Sequence, residues 1–490
     1  MPTTRPAFPT ADLIADASSE PDNGASSLLS RRRLFQAGAA GAAAVAFASL
    51  AGQPAFANDR RLRDATGGYG PLAPTPDQAT GLELLALPPG FSYTSFGWTG
   101  QIMSDGRPTP TDHDGMAVVA RRPNGKVVLV RNHENSEGEG PQALVDGGMY
   151  NPIEYGGTTN LVFDTRRGRF VDDFTTLGGT IRNCAGGATS WRSWLSCEET
   201  FHPWGERDDG FNHGYIFDVP AYSPSNGAPI RAAGRFSHEA VAVDPRTGIV
   251  YETEDARPAG LYAYMNPGGT SGIRDGGDLL AWKAAGEDAL DVSVSYPMGT
   301  TLKGEWVPVA DPEGIDGRPL DSAPGAALFS RLEGAWYDRG LVFIVSTDGG
   351  DAGLGSIWVL NPKNADLTLL YESTDASVLD GPDNIATSPS GGLIFCEDGD
   401  SDPKRLVGLS RQGNIFHFAE NVIELRDGDI DTIDKVYPGT KANFWDDPVG
   451  NFTSREWAGA TFFGDWLFVN IQSPGVTFAI TGPWFRGGLK

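Results

Sequence analysis

The sequence is poor in cysteine, histidine and positive charge. Three cysteines, Cys184, Cys197 and Cys396, cannot form a disulfide framework, and their odd number leaves at least one thiol unpaired. Six histidines argue against a histidine-rich dizinc centre. Lys and Arg number 38 against 63 Asp and Glu, so the chain carries a formal charge of −25 at pH 7. That deficit excludes nucleic-acid binding, which needs a basic footprint. It would also repel an anionic substrate at long range, unless bound cations reverse the field locally. Beyond the first fifty residues no apolar run is long enough to span a bilayer, so no stable membrane insertion is expected.

Turn-forming residues are plentiful. There are 64 glycines, 35 prolines and 10% aromatics, a mixture that favours many short strands and an all-β fold. The N-terminus reads as a targeting segment. Ser30, Arg31, Arg32, Arg33, Leu34 and Phe35 carry a twin-arginine pattern, and an apolar stretch from Ala37 to Leu50 follows. Ala55-Phe56-Ala57 fits an A-x-A cleavage site. Residues 1–57 are therefore expected to be a signal peptide handled by the twin-arginine export machinery. The mature protein, 58–490, is expected in the periplasm or outside the cell.

A unit of strand, turn and strand recurs six times. Asp114-Gly115-Met116 leads through Asn124-Gly125 to Asn132-His133-Glu134. Cys184-Ala185-Gly186 precedes Cys197-Glu198-Glu199, and His238-Glu239-Ala240 precedes Glu252-Thr253-Glu254-Asp255. Glu333-Gly334-Ala335 precedes Thr347-Asp348, and Asp383-Asn384-Ile385 precedes Cys396-Glu397-Asp398. The last copy runs from Trp457-Ala458-Gly459 to Asn470-Ile471-Gln472. Each copy is followed by a third strand, and most by a fourth. Six four-stranded units predict a six-bladed β-propeller in a single domain. The last unit lacks a fourth strand, and Tyr93-Thr94-Ser95-Phe96 is available to supply it and close the ring.

In a propeller the innermost strand lines the channel and the second strand runs back beside it. The start of one and the end of the other share a face of the disc. Here those positions hold Asp114, Cys184, Glu239, Glu333 and Asp383 on the first strands. They hold Glu134, Glu198, Glu199, Glu254, Asp255, Asp348, Glu397 and Asp398 on the second. So many anions at one funnel mouth repel one another, and bound cations resolve the conflict. Carboxylates suit calcium or magnesium, and the Cys184 thiolate suits a softer ion such as iron or zinc. Strand alternation turns Cys197 and Cys396 away from the acids. Arg331, two residues before Glu333, points to the same side and its fork suits phosphate oxygens. The sixth unit, aligned on Trp457, reads as a wall of the channel.

These motifs, in order, resemble the PhoX-type alkaline phosphatases of bacteria. The match is carried by NHE at Asn132–Glu134, NCAGG at Asn183–Gly187, CEE at Cys197–Glu199 and HEA at His238–Ala240. RLEG at Arg331–Gly334, PDN at Pro382–Asn384 and CEDG at Cys396–Gly399 complete it. The resemblance implies a six-bladed propeller with a central site of two ferric ions and up to three calcium ions. It implies Cys184 as an iron ligand, and Glu134, Glu198 or Glu199, Glu239 and Glu333 as metal ligands. Arg331 would be the phosphate contact, with Cys184 and Glu333 also in the catalytic set. Glu254, Asp255, Asp383 and Glu397 are further carry-overs. The expected reaction is hydrolysis of small phosphate monoesters by a monomer.

Two other readings fit the repeats. One is a calcium-dependent lactonase or esterase on a six-bladed propeller. The other is a non-catalytic envelope protein held together by calcium. Iron content separates them: only the phosphatase is expected to carry both iron and calcium.

Overall fold

The computed structural model describes residues 68–207, 209–266 and 272–489. The twin-arginine stretch, the Ala55-Phe56-Ala57 site and the start of the mature chain at Asn58 lie outside them. The chain forms six radial β-sheets whose innermost strands are His113–Arg122, Asn183–Ala188, His238–Val243, Leu332–Asp338, Pro382–Thr387 and Trp457–Phe463. Each inner strand packs against the next, and the last packs against the first. This is the six-bladed propeller expected from the repeats.

Blade depth varies, contrary to a uniform four strands. The first and sixth blades have four, the second three, the third and fourth five, and the fifth six. The second blade falls short because Pro224 and Pro229 interrupt its outer edge, where, among the described residues, only Phe217 bridges to Pro229. Proline has no N–H to extend the ladder.

The ring closes through the N-terminal part of the described chain. Ser92–Phe96 is the fourth strand of the sixth blade, with Phe96 opposite Thr477 and Tyr93 opposite Ile480. Ala73–Pro76 and Glu83–Leu87 are added to the outside of the fifth blade, Leu85 lying opposite Asn421. One N-terminal segment thus straps two blades together. The Tyr93 hydroxyl ties the strap: it accepts from the Leu84 and Leu85 amides at 2.9 and 3.2 Å and donates to the Thr75 carbonyl at 2.9 Å. The apolar cores lie between blades, and the largest joins the strap to the first, fifth and sixth. Cys197 and Cys396 are buried in these cores, on the side of their strands away from the channel.

Candidate metal centre

All six inner strands carry a β-bulge at the same register. Two residues oppose one on the neighbouring strand at Asp114-Gly115, Cys184-Ala185, Glu239-Ala240, Glu333-Gly334, Asp383-Asn384 and Gly459-Ala460. A bulge re-aims the side chain at its first residue. Repeated round the ring, it turns Asp114, Cys184, Glu239, Glu333 and Asp383 towards one channel mouth. The sixth equivalent is Gly459, two residues later than the Trp457 alignment expected. Glycine is required there. Its φ is +62°, and a Cβ would lie 2.6 Å from the Asp114 carbonyl oxygen and 2.8 Å from the Met116 nitrogen. We expect Gly459→Ala to destabilise the protein by about 3 kcal/mol or more. A urea midpoint equal to wild type would contradict this close approach.

The side chains converge in three groups, each with its ligand atoms within 4.8 Å of one another: Asp114, Glu134 and Cys184; Cys184, Glu199 and Glu239; Glu239, Glu333 and Asp383. Consecutive groups share a member, so they form a continuous arc across five of the six blades. The Cys184 thiol donates to Asp114 Oδ2 at 3.3 Å. Burial, reinforced by Asp114 and Glu239, pushes that thiol well above its ordinary pKa. Burial also raises Asp114, Glu239 and Glu333, with neighbouring carboxylates adding to the shift. Burial, followed by repulsion from Asp398, lifts Asp383 to about 7.

Does this arrangement fit metal ions? Among the described residues, neither carboxylate oxygen of Glu239 has a hydrogen-bonding partner, and the residue is 1% exposed. Buried polar atoms are rarely left this way, because desolvation without a partner is costly. Cations at the shared groups would satisfy the oxygens and cancel the repulsion together. The donors suit two kinds of ion: the first two groups include sulfur, the third is all oxygen.

Two arginines border the arc. Arg331 sits two residues before the fourth bulge, with φ +39°. It donates to Asp255 at 3.0 and 3.3 Å and pairs with Glu333. Burial works against its charge, but Glu333 and Asp255 hold its pKa above the usual value. Arg182 occupies the same place before the second bulge, with φ +48°. It pairs with Glu134 at 2.9 Å and with Glu199.

Glu198, Glu254 and Glu397 are employed differently from the ligand role expected of them. Each lies opposite the residue just before a bulge, so its side chain leaves the channel. Glu198 accepts from the Ile181, Gly214 and Tyr215 amides and from His213 at 2.6 Å. Glu254 accepts from the Gly260 amide and the Tyr262 hydroxyl and pairs with Arg318. Glu397 takes the Asp380 and Arg405 amides and the Arg405 guanidinium. All three anchor loops. The residues one position on, Glu199, Asp255 and Asp398, face the mouth. Asp348 lies on the rim with Arg257.

Other groups at the mouth were not singled out in the sequence. Glu456, just before the sixth inner strand, feels Asp398, Asp383, Asp114 and Glu134, and burial raises its pKa well above the ordinary value. Gln472 donates to Glu134 at 2.8 Å. The sixth blade therefore contributes polar groups from its strand ends. The histidines serve elsewhere. His113 and His133 belong to the buried Arg131 network, and His238 meets Glu252 at 3.2 Å. His417 meets Arg405 at 3.2 Å.

No curated protein sequence matches this chain. Among solved structures, it is similar to Pseudomonas fluorescens PhoX in complex with vanadate, described as a transition state analogue. The two are 17% identical, the match covers 85% of this chain and 98% of that one, and the TM-score is 0.60. Virginiamycin B lyase from Staphylococcus aureus matches at 11% identity over 80% of this chain and 99% of that one, with a TM-score of 0.35. A gluconolactonase from Xanthomonas campestris matches at 11% identity over 76% and 97%, with a TM-score of 0.30. The sequence profile described as "Alkaline phosphatase PhoX" matches residues 67–175 and 167–475. With nearly all of the propeller inside that match, the chain belongs to the PhoX family of alkaline phosphatases.

Proposed function

We propose that this phosphatase hydrolyses phosphate monoesters outside the cytoplasm with a mixed iron–calcium centre. The observation that carries the reading is the arc of three ligand groups with shared members, at whose centre Glu239 has two buried, unpartnered oxygens. Cys184, Asp114, Glu134 and Glu199 are the residues to hold iron. Glu239, Glu333 and Asp383 are the residues to hold calcium, with Glu239 common to both. When bound, the cations supply Lewis-acid neutralisation of the phosphoryl charge.

The chain's own residues then bind and orient. Arg331 takes non-bridging phosphate oxygens, and Asp255 fixes the plane of its guanidinium from behind. Asp114, Glu239, Glu333 and Asp383 are buried, which strengthens the charge interactions at their carboxylates. The P. fluorescens protein is described in complex with vanadate, a transition state analogue, which supports a reading in which the site takes a phosphate-like oxyanion. The twin-arginine leader and the single-domain mature chain from Asn58 complete the reading. Replacing Arg31 and Arg32 by lysine is expected to hold the protein in the cytoplasm, as read by cell fractionation.

The test is hydrolysis of p-nitrophenyl phosphate by the exported protein, with iron and calcium quantified in the same sample. Both metals with turnover are expected. Calcium alone without turnover overturns the proposal. Arg331→Gln is expected to lower kcat/KM by about 100-fold while both metals remain bound.

A further inference from the structure

The two arginines of the mouth are equivalent in the repeat. Arg182 and Arg331 each stand two residues before a bulge, in the second and fourth blades, either side of Glu239. Both adopt left-handed backbone, at φ +48° and +39°, which non-glycine residues seldom do. In both, the backbone carbonyl accepts from the residue that follows the second strand, Glu199 and Thr347 respectively. Repeat geometry thus delivers both guanidinium groups to one side of the disc.

Their bonding is also alike. Arg331 commits Nε and Nη2 to Asp255 and Glu333. Arg182 commits Nε to the Glu199 carbonyl at 3.1 Å, and Nη2 to the Glu134 and Glu199 carboxylates. In each, Nη1 has no acceptor among the described residues. The Arg182 side chain is 44% exposed, whereas its partners Glu134 and Glu199 are only 14% and 12% exposed. Both partners belong to the candidate ligand groups. Once those carboxylates serve as cation ligands, their hold on Arg182 weakens and its fork is left beside the mouth.

We infer that Arg182 is a second phosphate-binding arginine, acting with Arg331 on a phosphate-monoester dianion. This inference rests on the phosphatase reading above. A dianion has three non-bridging oxygens, enough for two forks approaching from the second and fourth blades, on either side of the third. A lysine at either place would offer charge without the planar pair of donors.

The experiment measures binding of inorganic phosphate to the metal-loaded protein by calorimetry. Wild type, Arg182→Gln, Arg182→Lys and Arg331→Gln are compared, with metal content and melting temperature taken on the same samples. Arg182→Gln is expected to bind phosphate about 10- to 100-fold more weakly, with metal content unchanged. Binding within about twofold of wild type overturns the inference, since a residue that only balances Glu134 and Glu199 leaves phosphate affinity intact. Loss of metal from that variant also overturns it, because the arginine then acts through the ligands. If Arg182→Gln does not fold, Arg182→Lys decides. That variant keeps the ion pairs, so affinity at least about threefold below wild type supports the inference and wild-type affinity overturns it. A wild-type protein that carries its metals yet binds no phosphate removes the phosphatase reading itself, a result distinct from all of these.

Discussion

Chelating the bound cations at pH 8 is expected to abolish activity and to lower the melting temperature by on the order of 10 °C. The cause is the arc of carboxylates. In the metal-free protein burial and then mutual repulsion hold Asp114, Glu199, Glu239 and Glu333 above the ordinary carboxylate range, and lift Asp383 to about 7. A carboxyl group whose pKa is raised by folding binds its proton more tightly in the folded state. Its contribution is therefore fully present below the unfolded pKa, near 4, and is lost as pH rises through the folded value. The chelated protein should thus be more stable at pH 5 than at pH 8. In the loaded protein the same groups are ligands, protonation competes with the cations, and the order reverses. Melting curves at the two pH values, with and without chelator, test this. Parallel trends in both states would show that the arc is not a cation site.

Much of this was legible in the sequence because a propeller is periodic. The six hairpins, the closing strand at Tyr93–Phe96 and the five bulge residues all follow from one repeated pattern. What escaped turns on single-residue differences between copies. Fifteen positions separate Cys184 from Glu199, and the same step applied to Glu239 lands on Glu254. The hairpin of the third blade is one residue longer, so the true equivalent is Asp255. A slip of one residue in a strand moves a side chain to the opposite face. This is why Glu254 anchors a loop while Asp255 holds Arg331. The fourth hairpin errs the other way: Thr347 takes the equivalent place, and Asp348 falls on the rim. In the sixth copy the conspicuous residue, Trp457, drew the alignment two positions from Gly459. That shift hid the polar ends supplied by Glu456 and Gln472. Arg182 was available to the argument that found Arg331, since each precedes its bulge residue by two. It was obscured by its neighbour Cys184, which carries the rarer chemistry.

Replacing Glu239 by glutamine is expected to have opposite effects in the two states of the protein. Glu239 is the member common to the sulfur-containing and all-oxygen groups, so its loss disturbs both. In the loaded enzyme an amide would offer one neutral oxygen in place of the charged carboxylate shared by the two groups. Activity should fall by about 1,000-fold or more, with iron and calcium both depleted. In the chelated protein the same change removes a buried group with no partner at either oxygen. It also relieves repulsion on Asp383, Glu199, Asp114 and Glu333. The chelated variant should therefore be as stable as chelated wild type, or more stable by about 1–3 kcal/mol at pH 8. Cys184→Ala is the necessary companion. It removes the sulfur from two groups and leaves the Glu239, Glu333 and Asp383 group intact. Iron and activity should be lost together while a calcium remains bound. A mutation that merely damaged the fold would lower stability in both states and release both metals, so the contrast between the two variants separates a ligand's role from a structural one. Full activity in Cys184→Ala would remove the thiolate from the centre and, with it, the reason to place iron there.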